Sequence, residues 1–424
     1  MTFQGLIDFL YGSFQESLWP MVTHYIIILS PIFAAIFLGI VFWDIWVRYV
    51  QLKNFLGIKY TVLELRLPKD TFKSPLAMET VLHAIHNTSD GSYYARYWKG
   101  ETRPWYSLEI ISVEGNVKFL IWTEDQRKNN LKSALYSQYP GIEIYEIDDY
   151  AKNIQYDPKV WKLWAAEFKF NKPDPYPIKT YVDFGLDKDP KEEFKVDPLV
   201  HMLEWLGSLR PNEQAWFQFV VRAHKNEQRK AGHLWKVTDK WKDDAQSEVN
   251  KILIRDPKTK VAGEINPETG FGKLPTISKG EQEIVAAIER SLQKLPFDVC
   301  VRGAYIAKRD IFDTPFGIGG IIASLKQFNT EHLNGFRPNG KKWIAKFDYP
   351  WQDYKNIRRT YLSKMFLKAY RRRSAFYPPF KTSSMVLNTE ELATIYHLPG
   401  SVAGTPTLKR VPSKKSEAPT NLPV

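Results

Sequence analysis

The apolar run Met21 to Trp43 reads MVTHYIIILSPIFAAIFLGIVFW and holds 23 residues without Asp, Glu, Lys or Arg. About 20 apolar residues suffice to cross the hydrocarbon core of a bilayer, so the pattern predicts a transmembrane helix over 21–47. His24 lies near one end, Pro31 is tolerated inside such helices, and Trp43 and Trp46 fall at interfacial depth with Asp44 marking the edge. No basic segment precedes the run and no small-residue cleavage site follows it, which argues against a signal peptide. Within residues 1–20, Phe3, Leu6, Ile7, Leu10, Tyr11, Phe14 and Leu18 recur at helical spacing. That stripe predicts an amphipathic helix, lying in the interface or pairing with another membrane subunit.

Beyond the span the pattern becomes mixed. Thr61 to Leu67 alternates and is β-branched, a strand closed by Pro68; Ser74-Pro75 opens a helix with Leu76, Val81, Leu82 and Ile85 on its apolar face. Ser107 to Val113 and Val117 to Thr123 are two strands joined at Glu114-Gly115-Asn116, followed by a helix over 126–139 and a strand over 142–147. The order β-α-β-β-α-β is the ferredoxin-like plan, assigned to residues 58–150. A similar order follows over 156–350. It has one or two strands in 160–183, a helix capped by Asp197-Pro198, a strand over 215–223, a helix over 280–295, a strand over 298–308 and a helix over 318–328. A charged insert, 224–279, interrupts it and carries a helix near Trp235 to Ile254. The expected class is therefore α+β: one transmembrane helix, two ferredoxin-like domains and a C-terminal basic helix.

That helix lies in a segment assigned to 351–398. Residues 355–381 hold nine basic residues and no acidic one. Ile357, Tyr361, Leu362, Met365, Phe366, Ala369 and Tyr370 form a stripe, and Lys364, Lys368, Arg371 and Arg372 lie on the other face, a candidate basic binding face. Pro378-Pro379 stops the helix, Asn388 with Glu391 makes a capping box, and 399–424 reads as a flexible tail rich in Pro, Ser, Thr and Lys.

The chain has 424 residues and a formal net charge of +12, compatible with nucleic acid, anionic lipid or an acidic protein partner. Aromatic content of 14% supplies ample core and excludes global disorder. The single cysteine, Cys300, cannot build a disulfide framework or a thiolate zinc site. Residues 1–20 contain no Lys or Arg, whereas Arg48, Lys53, Lys59, Arg66, Lys69 and Lys73 follow the span. The positive-inside rule then puts the N-terminus outside and the soluble region in the cytoplasm, at the inner membrane.

Candidate chemistry is sparse. Gly270-Phe271-Gly272-Lys273 lacks the upstream glycine and the following Ser or Thr of a phosphate loop. Gly317, Gly319 and Gly320 miss the dinucleotide spacing and read as helix packing. His83 and His86 stand three apart but lack a carboxylate at the metalloprotease position, and Cys300 sits in the apolar string VCVRGAYI. No catalytic, cofactor or metal residue is assigned, and the chain is expected not to be an enzyme.

Five strings resemble the region preceding the motor in membrane-bound ATPases of the HerA/FtsK superfamily, those similar to type IV secretion coupling and conjugative DNA-transfer proteins. They are LRLPKDTFKSPLAMETVLHAIH (65–86), DPLVHMLEWLGSLRPNEQAWFQFVVRAH (197–224), FDVCVRGAYIAKRD (297–310), LKQFNTEHLNGF (325–336) and MVLNTEELATIYHLPG (385–400). In such proteins the tail leads into a phosphate-loop domain, whereas this sequence stops at Asn421-Leu422-Pro423-Val424. The resemblance implies a non-catalytic accessory or docking module that holds a phosphate-loop ATPase in trans. DNA or anionic lipid contact through the basic helix and homo-oligomerisation are compatible with it. A membrane-tethered envelope scaffold without an ATPase is the alternative.

Overall fold

The computed structural model describes residues 3–68, 73–187, 197–225, 228–229, 237–238, 240–253, 278–340, 343 and 349–400. The tail beyond 400, the Gly270–Lys273 string and most of the charged insert lie outside the described residues. The chain forms two compact units: Met1–Ile58 with Asp90–Thr102, and Lys59–Ser89 with Arg103–Val424.

The first unit is built on α1, Phe3–Gly57, a single helix of 55 residues. Its Ile28–Gly57 stretch is long and apolar enough to cross a membrane, and none of its most apolar part is buried. Ile32, Phe33, Phe37, Ile40 and Phe42 all project outward. The backbone stays helical through Pro20 and Pro31, where each proline removes one internal hydrogen bond. The expected break between an interfacial helix over 1–20 and a separate span is therefore not present in the backbone; the side chains before Val22 lie outside the described residues. Residues 90–102 pack on this helix through a turn at Ala95–Lys99, closed by Gly100 in the left-handed region (φ 74°).

The second unit is an antiparallel sheet with helices. Its first strands are β1 (Tyr60–Arg66), β2 (Trp105–Val113), β3 (Asn116–Glu124) and β4 (Glu143–Ile147), with α2 (Leu76–Ile85) and α3 (Lys128–Gln138) between them. The β2–β3 turn needs only Glu114 and Gly115, at φ 54° and 84°, the tight hairpin geometry whose twist matches the flanking strands. After a short α4 (Tyr150–Asn153) come β5 (Trp161–Phe170), α5 (Leu199–Gly207) and β6 (Glu213–Ala223). The insert follows, with β7 (Gln228–Arg229), β8 (Val237–Thr238) and α6 (Lys240–Ile252), and after it comes α7 (Lys279–Leu292). The chain then returns through β9 (Pro296–Lys308), α8 (Thr314–Lys326), β10 (Phe336–Pro338), α9 (Ile357–Arg371), β11 (Met385–Asn388) and α10 (Thr389–Ile395).

Strand order is β10-β5-β9-β6-β2-β3-β1-β4, with β11 added antiparallel to β9. The two halves meet where β2 pairs β6 from Trp105↔Arg222 to Val113↔Gln214. The sequence expects separate domains over 58–150 and 156–350, but their edge strands hydrogen-bond directly and make one sheet. The reason is written in β2 and β6, both buried on both faces along most of their length. Strands of that kind do not serve as exposed edges. The segment 351–398 is likewise no appendage, because β11 joins the sheet and every residue of α10 is buried.

One sheet face carries the apolar core. Leu63, Ile110, Phe119, Phe217, Val299 and Tyr305 meet Met78 and Leu82 of α2, Leu131 of α3, Leu203 of α5, Leu325 of α8 and Leu392 of α10. Of the three glycines near 317–320, two are packing positions. A Cβ on Gly317 would stand 2.1 Å from the Tyr305 ring, and one on Gly320 would stand 2.0 Å from the Trp205 indole, while Gly319 faces open space. Overpacking of a filled core costs about 1–3 kcal/mol. Gly320→Ala should therefore lower stability by about that amount while Gly319→Ala leaves it within about 0.5 kcal/mol or raises it, through better helix propensity; denaturant unfolding of the two variants side by side checks this.

Candidate functional site: an aromatic and basic patch anchored by buried arginines

The opposite sheet face holds a buried polar network among apolar side chains such as Ile111, Trp216 and Val220. Period-two alternation along β2, β5, β6 and β9 brings Glu109, Glu167, Gln218 and Arg302 to it, all buried. Helix α9 and the residues just after it pack on this face. Phe366, Leu367, Ala369 and Tyr370 of α9 are buried, whereas Ile357 and Tyr361 on the same predicted stripe are exposed. The stripe thus packs only along its C-terminal half.

The attachment is ionic. Arg373, fully buried, donates from Nε to Glu109 Oε1 at 3.0 Å and from Nη2 to Glu109 Oε2 at 3.2 Å and Asp149 Oδ1 at 2.9 Å. Arg302, also 0% exposed, donates to Glu167 at 3.1 Å, to Gln218 Oε1 at 3.1 Å, and to the carbonyls of Ala369 and Ser374 at 3.3 and 2.7 Å. Tyr150 donates to Glu109 at 2.9 Å and shares a 2.7 Å hydroxyl contact with Tyr370. Gln218 donates to Glu109 and to the Tyr370 carbonyl. Burial alone disfavours the Arg373 cation, but Glu109 and Asp149 outweigh it and hold its pKa above the ordinary arginine value. Burial and the Glu109 charge push both tyrosine hydroxyls well up, so they stay protonated.

The candidate basic face divides on this framework. Lys364 and Lys368 are exposed. Arg371 is not an exposed cation: half-buried, it donates to the Ala151 carbonyl at 2.8 Å and also to the Ile154 carbonyl. Its register, one turn beyond Lys368, turns it down toward the α4 backbone. Arg372 is exposed and lies over the Phe380 ring at 5.9 Å. Expecting all four cations on a single solvated face is therefore corrected to three, with Arg371 acting as a clamp.

Exposed side chains also gather at the start of α9, where Trp351 and Tyr354, not identified from periodicity, precede Ile357 and Tyr361 of the predicted stripe. Trp351 is 74% exposed, Tyr354 69%, Ile357 63% and Tyr361 62%. Tyr349 stacks on Trp351 with ring centroids 4.6 Å apart, and Lys355 lies over Tyr354. Asp353 fixes this corner by accepting from the backbone N–H groups of Arg358 and Arg359 at 2.8 and 3.2 Å. Lys355 and Asn356 take left-handed backbone angles (φ 52° and 58°), which lets the chain turn sharply into α9. Exposed rings thus alternate along the chain with exposed Lys355 and Arg358, and exposed Lys364 and Lys368 follow Tyr361 along α9. Soluble surfaces carry such apolar clusters chiefly where they meet a partner. The available signal was local, the string YPWQDYKN (349–356), which has no helical or strand period.

His83 and His86 bond to distant parts of the fold. His83 Nε2 lies 3.0 Å from Thr389 Oγ1 and His86 Nε2 3.0 Å from the Pro296 carbonyl. Burial lowers the His86 pKa. At the β6–β9 margin, Asp298 accepts from Arg222 at 2.6 Å and pairs with His224 at 2.5 Å. Burial raises that carboxyl, but His224 and Arg222 more than offset it and hold it below the ordinary range. A cavity of about 240 Å³ beside β5 is lined by Glu167, Cys300, Thr382 and Ser383 among others, with Glu167 already paired to Arg302 and Thr382. Among the described residues no group of three His, Cys, Asp or Glu side chains converges as a metal site.

Fold and site together define a mixed α+β protein with an antiparallel sheet, preceded by an apolar helix of membrane-spanning length. The chain belongs to the family described as a domain of unknown function, DUF8128, whose model matches residues 51–410. No curated protein matches it.

Removing one member of a buried ion pair strands the other charge and costs about 3–5 kcal/mol. Arg373→Ala should lose about that much stability and Lys364→Ala no more than about 0.5 kcal/mol, read from urea unfolding of the detergent-solubilised chain.

Proposed function

We propose that this protein is a membrane-anchored, non-catalytic docking module that holds a partner at the inner membrane. Helix α1 is the single-pass anchor, with the N-terminus outside and the sheet unit in the cytoplasm. The reading rests on the apolar helix and on the absence of basic residues in 1–20 against six in 48–73. We read each half of the sheet as ferredoxin-like, because β4-β1-β3-β2 and β10-β5-β9-β6 follow the same fourth-first-third-second order.

The observation that carries docking is the exposed patch Trp351, Tyr354, Ile357 and Tyr361 with its flanking lysines, held on a helix whose base is locked by buried arginines. Aromatic anchors ringed by cations suit an acidic protein surface. The partner we favour is a phosphate-loop ATPase of a DNA-translocation or type IV secretion-like system. DNA or anionic lipid on the same patch, homo-oligomerisation, and an envelope scaffold with no ATPase partner are the competing outcomes.

Affinity purification from membranes should recover a phosphate-loop ATPase with the full chain and lose it with Trp351→Ala/Tyr354→Ala. Recovery of envelope proteins alone would favour the scaffold. Binding should weaken as salt rises, since screening at about 0.15 M already limits exposed charges to about 8 Å. Replacing Lys355, Arg358, Lys364 and Lys368 by Gln should reduce binding severalfold while leaving the melting profile intact; equal binding by this variant to acidic partner, duplex DNA and anionic vesicles would sink the docking role of the cations. A reporter fused after Val424 should be active only in the cytoplasm. The purified chain should show no saturable ATP binding at micromolar nucleotide, and saturable binding would overturn the non-catalytic reading.

A further inference from the structure

The helical unit carries a loop, residues 90–102, with exposed aromatic rings of its own. Residues 90–102 leave the sheet unit after Ser89 and return to it at Arg103, so this segment is committed to α1. Its attachment is specific. Trp46 Nε1 donates to the Tyr97 carbonyl at 3.2 Å, and Asn54 Nδ2 donates to the Gly100 carbonyl at 3.1 Å. Gly100 lies so close to α1 that a Cβ there would stand 2.4 Å from the Val50 carbonyl oxygen. Trp98 packs edge-on against Trp46 with centroids 5.6 Å apart and against Trp43 at 6.5 Å, and Tyr97 lies 5.6 Å from Trp43.

These rings gather where the apolar run gives way to charge. Trp43 ends the uncharged run, and Asp44 and Arg48 begin the polar part. The outer rings stay largely exposed: Tyr93 is 80% exposed, Tyr94 63% and Trp98 54%. Lys99 lies over the Tyr94 ring at 5.8 Å, and Arg96 lies over Tyr97 at 5.4 Å while pairing with Asp90 at 3.3 Å. Amphipathic Trp and Tyr rings favour the glycerol and carbonyl level of a bilayer, with cations reaching the phosphates.

We infer that the loop 90–102 is a second membrane contact, an aromatic collar that inserts Tyr93, Tyr94 and Trp98 into the bilayer interface beside the end of the span. The occupant is lipid rather than a protein, because the exposed rings continue the outward-facing apolar surface of α1, whose spanning window is 0% buried. The collar fixes the depth of α1 and ties the chain to the bilayer surface at a site remote in sequence from the anchor. This inference rests on the reading of α1 as a span, and the test separates the two.

The full chain, with Cys300→Ala, is reconstituted in vesicles of phosphatidylcholine and phosphatidylglycerol and labelled with an environment-sensitive fluorophore at single introduced cysteines. The positions are Tyr94→Cys in the collar, Phe37→Cys in the span and Tyr136→Cys on α3. Nitroxide lipids quench the label from either the top or the end of the acyl chain. We expect the position-94 label to be blue-shifted and quenched severalfold more by the shallow nitroxide than by the deep one, the position-37 label to show the reverse preference, and the position-136 label to be unquenched. A position-94 label that behaves like position 136 while position 37 is quenched overturns the collar and leaves the span intact. If 37 and 94 are both unquenched, both readings fall; if 94 alone is quenched, the span falls and with it the collar as a contact beside its end. A photoreactive benzophenone side chain at position 94 preserves an aromatic ring there. It should crosslink to lipid, and crosslinking only to protein would overturn the collar.

Discussion

Two guanidinium groups, Arg302 and Arg373, are taken entirely out of water, and the arrangement of the sheet unit follows from the need to compensate them. A buried cation is tolerated only when carboxylates and carbonyls surround it. For Arg373 these come from Glu109 in the first half of the sheet and Asp149 just after β4; for Arg302 they come from Glu167 on β5 and from carbonyls at the end of α9. Gln218 bridges the two sets through Glu109 and Arg302. The network therefore spans the β2–β6 seam and makes the register of the joined sheet and the seating of α9 a single condition. A slip of one residue at the seam would turn Gln218 to the apolar face and break both sets.

Much of the unit was legible from the chain because local signals and tertiary outcome agree. The β2–β3 hairpin is announced by Glu114-Gly115 between two β-rich runs, and α10 by Asn388 and Glu391, whose reciprocal bonds form as a capping box. Asp197 likewise accepts from the Leu199 N–H at 2.8 Å at the start of α5. The elements that escaped are those specified by distant partners. β10 is three residues long and exists because Phe336 to Pro338 pair with β5; β11 exists because Met385 to Asn388 pair with β9. Four residues of MVLN carry no period, and only the β9 edge makes them a strand.

The candidate site shows the same division. The basic composition of 355–381 marks the region, but composition does not distinguish a cation that is solvated from one that is spent on the fold. Arg371 and Arg373 lie two residues apart and both serve the fold, one through backbone carbonyls and the other through carboxylates. Lys364 and Lys368 lie in the same string and reach solvent. The difference is set by which acceptors α4 and β2 present beneath the helix, and those lie more than two hundred residues away in sequence.

This partition also governs what the patch can recognise. Cations fixed by buried acceptors add to the field of the molecule but cannot reorient toward a ligand, whereas lysines on flexible stems can. The same segment exposes Trp351, Tyr354 and Tyr361, which offer large area at low cost in side-chain entropy. A partner that engaged only the lysines would be lost at high salt, because exposed charges are screened. One that also covered the rings would keep a salt-independent share of its affinity, because removal of apolar surface from water does not depend on ionic screening. The residual affinity at high salt is thus a measure of how much of the aromatic cluster is covered. That quantity distinguishes a docked protein surface from a diffuse polyanion held by charge alone.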